Sequence, residues 1–255
     1  MRISRRALRT NVKGSLPVQF TTEKLTSYGG LEVVRQFMHR SGFLQRLKEV
    51  FAIRDFDTDY GSYRMALSLI AMLIVGGSRL RHLQFLAHDP IVLRFAQLAR
   101  LPDIRTMSRW LGSITEGVRD RIVELMRELA YDSARLAKVA RVTLELDGTV
   151  LRTGLCAEGA ERGFNPHHPK DKSYYPLTAH LAQTGQLLDI QNRPGNVHDS
   201  RGAVEMLRTL VDDIREKLGR IPIEVRLDGA FFQAPILRFL AESEVEYALK
   251  VPMWR

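Results

Sequence analysis

A single cysteine, Cys156, stands in the whole chain of 255 residues. One thiol closes no internal disulfide, and there is no thiolate cluster to hold a structural zinc, so a reducing compartment is expected. Long apolar runs are missing as well. The longest, Met65 to Val75, is interrupted by Ser68 and falls short of the roughly 18 to 20 residues that a membrane span needs. It reads as a buried helix, and no membrane partner is expected. The basic N-terminus (Arg2, Arg5, Arg6, Arg9, Lys13) is followed by no apolar stretch, which leaves a secretory signal unsupported. Acidic residues are scarce in one part only. Residues 1 to 140 hold 23 Lys and Arg against 13 Asp and Glu, a net of +10, whereas residues 141 to 255 hold 15 against 16, a net of −1. The formal charge of +9 therefore belongs to the first part, where an acidic partner is the first expectation.

That first part reads as helical throughout. Leu31 to Phe51 repeats apolar residues at helical spacing, with Gly42 as a break between two helices. Tyr63 to Val75 is a further helix, Asp89 and Pro90 open one running to Ala99, and Thr106 to Ile114 forms another. Thr115 caps a long amphipathic helix reaching about Val139. Short helices joined by tight turns are how helix-turn-helix modules are built. Arg105, Thr106, Ser108 and Arg109 at the start of one are candidates for contact with phosphates or bases. The competing reading is that these cations only solvate helix faces. Residues 1 to 24, with six cations and one anion, read as a basic arm, and residues 25 to 140 as a helical DNA-binding region.

After Arg141 the hydrophobic period becomes strand-like. Val142, Leu144 and Leu146 alternate with polar residues and lead to Asp147-Gly148. Strands over Ser173 to Gln183 and Leu187 to Asn192 complete an antiparallel meander. Asp199 or Ser200 caps a helix reaching Leu218, and the strand Ile223 to Leu227 delivers Asp228-Gly229. A short helix around Pro235 to Glu242 and a strand from Val245 to Val251 follow. The order of strand, strand, strand, helix, strand, helix, strand is that of the ribonuclease H-like fold, in which the first strand lies beside the fourth. Asp147 and Asp228, 81 residues apart in sequence, then become neighbours. Two close carboxylates repel unless a cation lies between them, and magnesium suits such hard oxygen ligands. Two turn aspartates of purely structural use give the same local pattern.

Four blocks in this order resemble a known family: residues 143–150 (TLELDGTV), 163–177 (GFNPHHPKDKSYYPL), 193–200 (RPGNVHDS) and 226–232 (RLDGAFF). They are similar to bacterial insertion-sequence DDE transposases, with the group 1 DDE domain of the insertion sequence 1380 family. The resemblance implies an α/β protein: a helical N-terminal DNA-binding region, then a ribonuclease H-like mixed-sheet core over residues 141 to 255. It implies two aspartates, at Asp147 and Asp228, and a glutamate that together hold two Mg2+ ions for DNA strand cleavage and transfer. The implied partners are double-stranded DNA at the element ends and target, and further copies of the chain. The implied location is the bacterial cytoplasm at the nucleoid. The resemblance places the glutamate on a helix well beyond the second aspartate, yet Arg255 comes 27 residues after Asp228. The chain is therefore expected to be the N-terminal portion of a transposase, with a non-catalytic DNA-binding remnant as the alternative. His167, His168 and His198 have no assigned role, and a Pro-bounded loop accounts for the first two equally well.

Overall fold

The computed structural model describes residues 22–52, 59–153, 157–163 and 170–253. Cys156, His167, His168 and nearly all of the basic arm lie outside the described residues. The chain divides into two compact units, one comprising Met1–Gly42 and Asp55–Gly112, the other Phe43–Arg54 and Ser113–Arg255. No helix among the described residues is long and apolar enough to cross a membrane.

In chain order the helices are α1 (Gly30–Arg40), α2 (Phe43–Phe51), α3 (Ser62–Ile74), α4 (Leu83–Leu86), α5 (Pro90–Ala96), α6 (Ile104–Gly112), α7 (Glu116–Leu136), α8 (Ala203–Leu218) and α9 (Ala234–Glu242). Gly42, at φ +72°, makes the expected break between α1 and α2. Asp89 opens α5 as read from the sequence, its Oδ1 accepting from the backbone N–H of Ile91 at 2.9 Å and of Val92 at 3.2 Å. That helix stops at Ala96 rather than Ala99, because Gln97 turns left-handed at φ 57°. Within the first unit α3 packs against α5 and α6, and α1 against α5. Trp110 is a packing residue there, its Nε1 donating to Ser62 Oγ at 3.1 Å in the interior.

The second unit is built on a five-stranded sheet of order β5-β4-β1-β6-β7, formed by β1 (Val142–Gly148), β4 (Leu177–Leu181), β5 (Gln186–Gln191), β6 (Ile223–Leu227) and β7 (Glu246–Leu249). The pairs β1/β4 and β4/β5 are antiparallel, whereas β1/β6 and β6/β7 are parallel. The strand expected over Ser173 to Gln183 is two strands. Short β3 (Ser173–Tyr174) pairs with β2 (Leu151–Arg152), and β4 begins after Pro176. Proline lacks the N–H that a continuous ladder needs, and Tyr175 N–H turns aside to the carbonyl of Arg193 at 2.7 Å.

The core joins Val142, Leu144 and Leu146 of β1 to Leu207, Leu210 and Ile214 of α8, Leu240 of α9, and Tyr131 and Ala134 of α7. Helix α7 therefore covers this sheet, although its charge places it with the basic part. Thr115 caps it as expected, accepting from Val118 N–H at 3.4 Å. Arg127 of α7 bonds Asp189 of β5 and, at 3.1 Å, Asp213 of α8, so one guanidinium ties the helical layer to the sheet edge.

Candidate active site

The parallel register pairs Val142 with Ile223, Thr143 with Glu224, Leu144 with Val225 and Glu145 with Arg226. Continued by two residues, it sets Asp147 opposite Asp228. Successive strand residues face opposite sides of the sheet, so residues matched across the ladder project to one face. Asp147 lies inside β1 rather than after it, and its carbonyl accepts from Thr178 Oγ1 at 3.1 Å across the β1/β4 pair. Burial pushes the Asp147 carboxyl above its ordinary range. Asp228 and Asp199 push it further, and the Gly148 N–H and His180 act the other way.

Asp228 also has a local task. Its Oδ1 accepts from Ala230 N–H at 3.0 Å and caps the 3-10 turn Gly229–Phe231. The turn reading and the site reading of this residue are thus compatible, since one carboxylate carries four lone-pair sites.

Gly148 is required by close packing. A Cβ there would stand 2.3 Å from Asp199 Oδ1 and 2.8 Å from the Tyr175 hydroxyl oxygen, well inside contact distance. Asp199 or Ser200 was expected to cap α8, but Gly202 at φ +81° precedes that helix with no side-chain cap, and the Asp199 side chain turns to Gly148. Its carboxylate lies with the Tyr175 phenol against Gly148, and burial, together with this carboxylate, pushes the phenol upward. Tyr174 turns elsewhere, its hydroxyl donating to the carbonyl of Glu158. Arg193, only 5% exposed, anchors the loop. Its Nη1 donates to the carbonyls of His198, Asp199 and Arg201, its Nε donates to that of Tyr175, and its guanidinium lies 5.5 Å from the Tyr175 ring centroid. His198 closes its own turn, Nδ1 accepting from the Ser200 backbone N–H at 3.2 Å.

In the first unit Arg105, Ser108 and Arg109 of α6 are exposed, while Met107 and Trp110 are buried. Thr106 is committed locally: its N–H and hydroxyl both donate to Asp103, at 2.9 and 3.0 Å. The short segment expected over Leu80 to Ala87 begins with the 3-10 helix Leu80–His82, which packs on α6, and sequence reading gave it no functional role. Arg79 and Arg81 are exposed there, and Phe85, one turn on, is 79% exposed. The run Arg79-Leu-Arg81-His82 with a following aromatic was the available signal.

Residues 9–253 match the profile of the transposase DDE domain, group 1. The chain belongs to this family. DDE transposases are enzymes of phosphoryl transfer on DNA, and they use divalent metal ions. Among solved structures, the piggyBac transposase synaptic complex with hairpin DNA is similar at 10% identity and a TM-score of 0.42, covering 86% of this chain and 50% of that one. The Mos1 transposase paired-end complex with left transposon end matches at 12% identity and 0.31, covering 94% and 71%. The Mos1 mariner paired end complex with Mn matches at 12% and 0.30, covering 87% and 72%. The DDE chain described here thus spans half the length of the piggyBac chain, and the family assignment rests on the sequence profile. No curated protein matches the sequence.

Proposed function

We propose that this DDE domain cleaves and joins DNA strands for a bacterial insertion sequence, with Asp147 and Asp228 as its catalytic aspartates. The β1/β6 register, whose continuation by two residues sets Asp147 opposite Asp228, carries the reading. Carboxylates at the ends of adjacent strands fit a hard divalent cation such as Mg2+, which takes one or two of them and leaves positions for phosphate and water. When bound, such an ion polarises the phosphoryl group and activates the attacking oxygen.

The chain's own residues supply the rest. The β1/β6 backbone bonds fix the two aspartates relative to each other before substrate arrives, which lowers the cost of organising the site. The exposed Arg105, Ser108 and Arg109, with Arg79 and Arg81 nearby, suit the phosphates of an element end. Assembly of several copies on paired ends accompanies this reading, as does a second ion completed by a further acidic ligand.

A second reading is a DNA-binding protein without cleavage. It is favoured by the capping use of Asp228 and by the arrangement of the described residues, among which no group of three or more His, Cys, Asp and Glu is set to hold a metal. An end-nicking assay with Mg2+ and a duplex carrying the element end separates the two. Cleavage that disappears in Asp147→Ala supports the enzyme; duplex binding without any nicking supports the second reading.

A further inference from the structure

We propose that Tyr175 and Asp199 are positioning residues for Asp147: a phenol and a carboxylate, both seated on the backbone of Gly148, fix the strand end that carries it. The proposal rests on Asp147 and Asp228 being cation ligands.

The contact is at the limit of approach. No side chain larger than hydrogen fits at Gly148, because Asp199 Oδ1 and the Tyr175 ring fill the place of its Cβ. The next residue is held from the same side, Thr149 N–H donating to the carbonyl of Pro176 at 3.2 Å. The segment around Tyr175 thus clamps β1 just beyond Asp147. The partner loop is equally fixed. Tyr175 N–H donates to Arg193, and the buried Arg193 guanidinium holds the carbonyls of Tyr175, His198, Asp199 and Arg201. An arginine whose Nε and Nη1 serve backbone oxygens is a scaffold for the loop, and the loop's acidic side chain, Asp199, is delivered to the residue beside Asp147.

Asp199 lies four residues before Ala203, the first residue of α8, and Gly202 holds the N-cap position, so the Asp199 carboxylate serves the strand end and not the helix. Groups that orient ligands from outside the coordination sphere typically change metal affinity by about 10-fold to 100-fold when removed.

The test is Mn2+ binding to the intact protein by calorimetry, with the apo melting temperature as a folding control. Tyr175→Phe keeps the ring on Gly148 and removes its hydroxyl; Asp199→Ala removes the oxygen packed on Gly148; Asp199→Asn retains one. Tyr175→Phe and Asp199→Ala should each weaken Mn2+ binding about tenfold, and Asp199→Asn should recover most of that loss. In strand cleavage, kcat should fall while KM for DNA holds. Unchanged Mn2+ affinity in Tyr175→Phe overturns the proposal, as does an Asp199→Asn as weak as Asp199→Ala. Should Asp199→Ala fail to fold, Tyr175→Phe decides alone. Failure of the underlying reading looks different: the unsubstituted protein binds no Mn2+, or Asp147→Asn binds it undiminished.

Discussion

The β1/β6 register, continued by two residues, sets Asp147 opposite Asp228, and burial, with the charge of Asp228 adding to it, raises the Asp147 carboxyl above its ordinary value. An acid with a raised folded pKa binds its proton more tightly folded than unfolded. Its contribution to stability is therefore full below the unfolded value and is lost as pH rises through the folded one. At neutral pH without metal the ionised Asp147 carboxylate is a burden on the fold. Asp147→Asn should then melt higher than the unsubstituted protein at pH 7, by about one to three degrees. The difference should close near pH 3, below the ordinary Asp value of 3.8. Millimolar Mg2+ should raise the melting temperature of the unsubstituted protein and leave Asp147→Asn unmoved. Equal responses of the two proteins to Mg2+ would remove the aspartate pair as the binding place.

The adjacency of β1 and β6 was legible in the sequence because strand order and a period of two fix which residues share a face and a strand end. The Gly148 contact was not. It joins β1 to Tyr175 and Asp199, which belong to separate loops, and each residue had a sufficient local explanation: Asp-Gly as a turn, Asp199 as a helix cap. Helix α7 shows the same limit. Its apolar face was readable from Val118, Leu125 and Leu129, but periodicity names a buried face without naming what buries it. The charge balance changes at Ala140, whereas the packing changes near Ser113, because surface charge records partners and core contacts record folding.

Arg127 offers a test of how α7 is held on the sheet. It is paired with Asp189 and Asp213, and all three side chains are largely withdrawn from water. Arg127→Met keeps the aliphatic stem and leaves two carboxylates without their cation. The expected cost is on the order of 2–3 kcal/mol, below that of a wholly buried pair because some solvent reaches the site. Urea unfolding at pH 7 measures it. Removing both acids with Arg127→Met/Asp189→Asn/Asp213→Asn should restore much of the loss, since no unpaired charge then remains.

Glu32 supplies a pH probe in the other unit. Its hydrogen bond from Arg35, with help from Gln36, holds the carboxyl down at about 2, against an ordinary 4.5. A depressed acid gives stability that is present above the unfolded value and lost as pH falls through the folded one. The difference in melting temperature between the unsubstituted protein and Glu32→Gln should therefore be constant above pH 5 and shrink between about 4.5 and 2. A difference that persists unchanged at pH 2 would assign the effect to packing.

On α6 the structure separates two exposed arginines from a threonine committed to the start of the helix. Arg105→Ala and Arg109→Ala should weaken duplex binding and lower the slope of log affinity against log salt by about 1 each, one phosphate contact apiece. Thr106→Ala should act on stability, by about 1 kcal/mol, because both its donors serve Asp103 at the start of the helix. Filter binding across salt concentrations and urea unfolding read the two effects separately. A salt slope unchanged in both arginine variants would take α6 out of the DNA interface.

Phe85 is the sharpest probe of that interface. Leu83 and Leu86 of the same short helix are buried at 2% and 3%, whereas Phe85 is 79% exposed, so its ring is unneeded by the core. The neighbouring Arg79 and Arg81 are exposed as well. An aromatic ring beside such cations suits a nucleic acid, because guanidinium groups take the phosphates while the ring stacks on a base or wedges into a base step. Phe85→Ala should leave the melting temperature unchanged, as little packing is lost, and weaken duplex affinity about tenfold, the lower part of the range for one stacked base. Phe85→Trp should bind as tightly as the unsubstituted protein. The duplex should also quench that indole's emission, read against a Trp110→Phe background. A Phe85→Ala protein with full affinity at the same salt would show that the ring lies outside the DNA contact and that the arginines act without it.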